Sequence, residues 1–301
     1  MNTRIGNILR SSSCPQNCDL SPAPLPQGSP VLECREIDFS YHTGVPAVAG
    51  VSFSVQAGES VALLGPNGSG KTTLLKLLTG LLEPDAGEIR LAGKPLDKAL
   101  AREVFRTIGF LFQDSQDQLF NNFVAEDVAY GLKHLGLSPR EVEDRVALAL
   151  HLTEAQHLAR RPIHHLSGGE MKRVALAGLI AMRSPLLVLD EPQNALDPAS
   201  SEHLIELIEH LHRDHGYAFL TVTHKMDYVP RLAQRVIVMD QGHVLCDGGV
   251  REVLTDIPLL ERARLAAPSI TRYVYERRLR RGLPLTGLPL TVEEALAAQE
   301  E

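Results

Sequence analysis

Apolar and β-branched residues alternate with polar ones over VLECREIDFSY (31–41) and again over VSFSVQAGESVALLG (51–65), with turn residues between the two runs. A period of two puts successive side chains on opposite faces of an extended chain, so these runs predict strands of a small antiparallel layer. The second run ends in ESVALLG, whose continuous apolar character predicts a buried strand, and passes through GPNGSGKTT into the helical pattern LLKLLTGLLEP. SPLLVLDEP (184–192) and YAFLTVTHK (217–225) are short apolar runs between helical patterns and predict central parallel strands covered on both faces.

From about residue 100 to 182 strand signals fade after IGFLFQ (108–113), and EVEDRVALALHL (141–152) carries apolar residues at helical spacing, which predicts a helical insertion. RVIVMDQGHVLCDGG (235–249) predicts a closing hairpin. The tail, from EVLTDIPLLERARL to VEEALAAQE, predicts mostly helix and contains the basic run RYVYERRLRRG (272–282), a pattern that usually marks a solvated helix face. Residues 1–30 are rich in Ser and Pro and predict a flexible leader.

Composition narrows the function classes. A chain of 301 residues with 44% hydrophobic and 22% charged residues suits one principal domain plus a tail. The net charge of -7 and the absence of Trp argue against nucleic acid as a partner, since phosphate neutralisation needs a basic surface and base stacking needs aromatics. No stretch approaches the roughly 18–20 apolar residues of a membrane span, and residues 1–30 lack the apolar core of a secretory signal, so a cytoplasmic location is expected. Cys14, Cys18, Cys34 and Cys246 form no disulfide framework; the first two, in the leader, could at most hold a metal loosely.

The sharpest chemical signal is Gly65-Pro-Asn-Gly-Ser-Gly-Lys71-Thr72, which fits the P-loop pattern in the strand-to-helix context that the pattern requires. Glycines let backbone N–H groups curl around phosphate oxygens, and the following helix presents its positive end. Lys71 is placed to reach β- and γ-phosphates, and the Thr72 hydroxyl to bind Mg2+. Taken alone, this loop serves kinases, GTPases, helicases and transport ATPases equally.

A second segment separates them. Leu166-Ser-Gly-Gly-Glu170 lies about a hundred residues downstream and shortly before the apolar strand that ends in Asp190-Glu191. In this order the segment resembles the signature motif of the ABC ATPase family. LLVLDEP (186–192) is similar to the family's Walker B strand. The resemblance spans about residues 31–250. It implies an α/β fold: a P-loop NTPase core with an antiparallel β subdomain, a helical subdomain over about 114–182 and a C-terminal helical extension over 255–301, the ATPase domain itself covering 31–254.

The same resemblance implies ATP and Mg2+ as cofactors and assigns roles. Gly65, Asn67, Gly68, Gly70, Lys71, Thr72 and Thr73 would hold the nucleotide phosphates, and Tyr41 would stack on adenine if it is not a core residue. Thr72, Gln113 and Asp190 would surround Mg2+, with Gln113 also sensing the attacking water. Glu191 would serve as the base and His224 as the switch histidine. Ser167, Gly168 and Gly169 would be offered to a nucleotide held by another copy, and Asp197 would link the two composite sites. Two departures from the family pattern, Asn194-Ala195 before Leu196-Asp197 and Met171-Lys172-Arg173 after the signature, leave coupling between the sites less certain than hydrolysis.

FQDSQDQLFNNFVAEDVAYGLKHLGLS (112–138), REVLTD (251–256), TR (271–272) and GLPLTGLPLTVEEAL (282–296) resemble the ATPase subunits of energy-coupling-factor importers, especially those for cobalt and nickel. This implies a peripheral subunit on the cytoplasmic face of the membrane, with a transmembrane coupling protein and a substrate-binding integral membrane subunit as partners. A homodimer is expected, or a heterodimer with a related ATPase in a vitamin-uptake system. A soluble ABC ATPase is the remaining alternative, disfavoured by a single signature and no long heptad segment. His164-His165 and His210, His212 and His215 invite a metal role, but the latter three fall on a helix expected to be exposed, which favours a surface role.

Overall fold

The alternation in the first hundred residues folds as a four-stranded antiparallel sheet in the order β2–β1–β4–β5, with β1 Leu32–Ser40, β2 Pro46–Val55, β4 Ala86–Leu91 and the short β5 Lys94–Pro95. The computed structural model describes residues 20–26, 29–42 and 44–298. β1 buries Leu32, Cys34 and Ile37 on one face, and the buried thiol of Cys34 is pushed above its ordinary range by loss of solvent.

The second sheet has the order β10–β9–β3–β8–β7–β6: β3 Ser60–Leu64, β6 Ile108–Leu111, β7 Leu186–Asp190, β8 Ala218–Val222, β9 Arg235–Asp240 and β10 His243–Gly249. All neighbours pair in parallel except the β9–β10 hairpin. Every residue of β3, β7 and β8 is buried, the consequence of helices on both faces of a parallel sheet. Because Leu63 and Asp190 both register with Val222, the C-terminal ends of these three strands lie level. Ligands of open α/β sheets bind at such an edge.

Several helices begin at side-chain caps. α1 Lys71–Leu78 follows the Gly-rich turn directly. Between β6 and β7 lie α2 Val124–Tyr130, α3 Pro139–Leu152 and α4 Gly168–Met182. Ser138 caps α3 with Pro139 following, and Ser167 forms a full capping box with Glu170 at the start of α4. α5 Pro198–His215 is capped by Asp197 and ends at Gly216, whose φ of 74° no β-carbon opposes. These helices bury Val124, Val128, Leu150, Leu176 and Ile180 in one cluster with Leu187 and Leu189 of β7.

α6 Val250–Thr255, α7 Ile257–Arg262, α8 Ser269–Arg281 and α9 Val292–Ala297 complete the chain. Val253, Leu254, Ile257, Leu260 and Leu290 share a cluster with Ala62 and Leu64 of β3 and Val236 and Val238 of β9. The extension is therefore packed against the central sheet from its first residues. The basic run is partly tied down: Arg272 pairs with Glu261 and Glu276, and Arg278 donates to the carbonyls of Pro284 and Thr286.

Residues 20–26 depart from the flexible leader expected over 1–30. Leu20 is only 2% exposed, within the cluster that holds α4, and Ala23 N–H donates to the carbonyl of Arg183 at 2.9 Å. This strap crosses the joint between α4 and β7. Cys14 and Cys18 lie outside the described residues.

Candidate active site

The P-loop runs from the end of β3 to the start of α1. Two of its glycines are required by space. At Gly65, φ is 154° and a β-carbon would stand 2.3 Å from the carbonyl oxygen of Met239; at Gly70, φ is 100° and it would stand 2.2 Å from that of Ala47. Such close backbone approach is possible only for glycine. Lys71 is buried, and its Nζ donates to the carbonyls of Gly65 at 2.7 Å and Pro66 at 2.9 Å and to Ser69 Oγ at 3.3 Å. The ammonium thus closes the loop on itself.

Asp190 and Glu191 follow at the end of β7, both 5% exposed. Glu191 takes a left-handed backbone with φ 48°, uncommon for a residue with a side chain and a mark of local strain at working sites. His224 comes from the end of β8. Its backbone N–H lies 3.4 Å from Glu191 Oε2, and its Nε2 stands 3.3 Å from Glu191 Oε1. That second contact lacks hydrogen-bond geometry, so Oε1 is buried without a hydrogen-bond partner. Glu191 lines the cleft, and a buried carboxylate oxygen left without a partner there calls for one.

Burial shifts each of these groups toward its neutral form. The carboxyl of Asp190 is raised by loss of solvent and then by Glu191, and that of Glu191 by loss of solvent against the pull of the His224 N–H. Lys71 is lowered by burial, opposed by Glu191 and Asp190, and His224 by burial and then by Lys71. Several titratable groups perturbed by burial and by one another in a single cleft mark a candidate functional site.

The cleft measures about 590 Å³ and gathers Tyr41, Asn67, Gly68, Gly70, Lys71, Thr72, Thr73, Gln113, Asp190, Glu191 and His224. Tyr41 is not a core residue: it is 52% exposed, its hydroxyl lies 3.2 Å from Thr73 Oγ1, and its ring stands edge-on to Phe39. The groups expected for a nucleotide and Mg2+ fit the donors present. Curled P-loop amides and one ammonium suit phosphates, and Thr72, Gln113 and Asp190 offer oxygens for a hard cation.

Ser167, Gly169 and Asp197 stay outside this cleft. Ser167 Oγ accepts from Glu170 N–H and donates to its carboxylate, and Asp197 accepts from Ser200 N–H and Oγ. Gly168 lines an adjoining cavity of about 660 Å³ with Thr72, Gln113 and Asp190. Sequence reading missed Ser69, Asn194 and Lys225, which also line the cleft. Ser69, inside the P-loop, was open to recognition; the other two reach the site only by the packing of loops after β7 and β8. The histidines of α5 are half-buried rather than exposed: His210 Nδ1 meets Asp214 at 2.6 Å, His215 meets His210 at 3.3 Å and His212 meets the Tyr217 carbonyl at 3.1 Å. No group of three or more potential metal ligands is assembled among the described residues.

A P-loop on a parallel sheet, facing a paired carboxylate and a histidine, defines a nucleotide-hydrolysing class. Residues 48–194 match the family described as ABC transporter. The energy-coupling factor transporter ATP-binding protein EcfA of Methanoculleus marisnigri is 40% identical over 265 residues, 88% of this chain and 95% of the relative. EcfA of Methanocaldococcus jannaschii is 40% identical over 81% of this chain and 88% of its own length. Among solved structures, cbiO1 of Clostridium perfringens, part of the ABC transporter complex cbiONQ, superposes with a TM-score of 0.69 at 34% identity, covering 80% of this chain and 97% of that one. A dimeric ATP-binding cassette in a post-hydrolysis state with ADP and Pi gives 0.68 at 27% identity, over 73% of this chain and 99% of its own.

The chain belongs to the ABC transporter ATPase family, and within it to the energy-coupling-factor type. It is an ATPase. No helix among the described residues is long and apolar enough to cross a membrane.

Proposed function

We propose that this chain is the ATP-hydrolysing subunit of an energy-coupling-factor importer for cobalt or nickel ions, and that it drives a membrane partner by ATP-dependent closure of a dimer at the cytoplasmic face. The observation that carries the proposal is the separation of its parts. Lys71, Asp190, Glu191 and His224 share one cleft, whereas Ser167, at the exposed start of α4, lies outside its lining and is free to meet a second copy.

In this reading Lys71 and the P-loop amides hold the β- and γ-phosphates while Tyr41 covers the adenine. Thr72, Asp190 and Gln113 hold Mg2+, which neutralises charge on the phosphates when bound. The Glu191 carboxylate takes the proton of the attacking water, and His224 keeps that carboxylate aimed. Ser167, Gly168 and Gly169 complete the partner's site, and Asp197 joins the two. Nucleotide favours the closed pair, and hydrolysis reopens it.

Two surfaces support the partners. A groove of about 700 Å³ is lined by Phe105, Leu119, Phe120, Tyr130, Val174 and Met182, with Phe120 65% exposed, and has the apolar character that receives a short helix of a coupling protein. Tyr273, Leu279, Leu283 and Leu285 are exposed on the C-terminal extension and suit contact between two ATPase copies. The test is to tag the subunit, solubilise membranes gently and identify what stays bound by mass spectrometry. A small transmembrane coupling protein, a metal-binding integral subunit and one kind of ATPase are the expected result. A second, related ATPase with vitamin-binding membrane proteins, or no membrane partner, overturns it.

A further inference from the structure

We infer that Lys172 is a positioning residue that ties the signature helix to the Gln113 segment of the same chain, so that movement of α4 reaches the metal side of the cleft. Lys172 stands five residues after Ser167 on α4, about 7.5 Å along the helix axis. It is 3% exposed, a burial that lysine rarely tolerates without partners. Its Nζ donates to the carbonyls of Gln113 at 2.8 Å and Phe112 at 3.2 Å.

The position of those carbonyls explains the lysine. The ladder between β6 and β7 ends at Leu111 opposite Leu189, so Phe112, half-buried, and Gln113, exposed, have left the sheet. Lys172 supplies hydrogen bonds that a neighbouring strand no longer provides, and its own buried ammonium needs those two acceptors. Burial draws Lys172 toward its neutral form, and Asp190, Asp114 and Glu191 oppose that only in part. An apolar side chain of equal length would fill the same volume and leave the Gln113 segment unheld.

The tie has a direction. α4 is a fifteen-residue helix closed by a capping box, and a short capped helix moves as a rigid rod. In the proposed dimer the Ser167 end meets the partner's nucleotide. Displacement there carries Lys172, and with it the backbone of Gln113, which stands in the cleft of its own chain. Lys172 thus links the state of one site to the metal-side geometry of the other, and this part rests on the dimer reading above.

The experiment uses the full chain and Lys172→Met, which keeps the stem and removes the donor, with Lys172→Arg as the conservative control. Amide exchange over residues 112–118 is followed by mass spectrometry with ATP and Mg2+ in a Glu191→Gln background, alongside the ATP-driven dimer by light scattering. Glu191→Gln alone should gain protection over 112–118 as it dimerises. Adding Lys172→Met should leave the dimer intact and raise exchange there about tenfold, with Lys172→Arg recovering most of the protection. In otherwise unchanged protein, Lys172→Met should lower kcat about tenfold with KM for ATP within about threefold. Unchanged protection in the Lys172→Met dimer overturns the inference. So does Lys172→Arg failing equally with Lys172→Met while both lose thermal stability, since that marks simple packing. If Glu191→Gln gives no dimer, the dimer reading fails on its own; Lys172→Met must then still raise exchange over 112–118 without nucleotide, and no rise refutes the tie.

Discussion

Replacing Glu191 by Gln should move catalysis and folding stability in opposite directions. Glu191 is 5% exposed, its Oε1 has no hydrogen-bond partner, and burial raises its carboxyl above the ordinary range. Removing a general base costs about 10²–10⁴ in rate, or about 3–5 kcal/mol of transition-state stabilisation. Burying a charged carboxylate costs more than burying a neutral amide of the same shape, so Glu191→Gln should stabilise the fold by about 1 kcal/mol at neutral pH. For a chain of this size that is about 1.5–2 °C in Tm. The pH dependence follows from the sign of the shift. A carboxyl whose folded pKa is raised contributes stability below its unfolded value of about 4, and that contribution is lost as pH rises through the folded value. The advantage of Glu191→Gln over the natural chain should therefore be greatest at neutral pH and vanish in acid. Steady-state phosphate release and thermal melts at several pH values measure both effects, with light scattering for the trapped ATP-bound dimer. Turnover within about tenfold of the natural chain refutes the assignment of Glu191 as the base, and a lower Tm at neutral pH refutes the burial argument.

Lys71→Ala should weaken ATP affinity by about 10- to 100-fold, the worth of a charge-assisted contact to phosphate; calorimetric titration showing unchanged affinity contradicts the P-loop assignment. Gly70→Ala forces a β-carbon against the Ala47 carbonyl and should cost about 1–3 kcal/mol in stability with a larger proportional loss of nucleotide binding, read by denaturant melts and titration. Leu20→Ala should cost about 2–3 kcal/mol, visible as a lower denaturation midpoint and earlier proteolysis near the strap; no change means that residues 20–26 contribute nothing to the fold.

Much of the site was legible because its chemistry is local. The P-loop places its glycines, Lys71 and Thr72 within eight consecutive positions, and Asp190 and Glu191 sit at the end of an apolar strand whose period is plain. Tyr41 and Gln113 were recognised through resemblance, and the structure brings both to the cleft. Lys172 was passed over as a departure from a family pattern. Nothing in its neighbours along the chain shows that it faces Phe112 and Gln113, since that contact spans some sixty positions and is made by packing α4 against the end of β6. Leu20 was hidden for the opposite reason: its Ser/Pro-rich surroundings predict a leader, and its burial comes from a groove that the remainder of the chain creates.

The sequence by itself determined the elements and the chemistry they carry. Side-chain period, caps and glycine-dependent turns act over a few residues, and they specified the buried strands, the helix starts at Ser138, Ser167 and Asp197, and the phosphate loop. Only the tertiary structure decided which of those elements meet. Strand order set β3 between β8 and β9 and brought Gly65, Asp190 and His224 to one edge, while leaving Ser167 outside the lining of that cleft. The physical reason is that local sequence constrains dihedral angles, whereas the pairing of distant strands and the orphaned oxygen of Glu191 follow from burying three clusters at once, a condition that no short stretch of the chain contains.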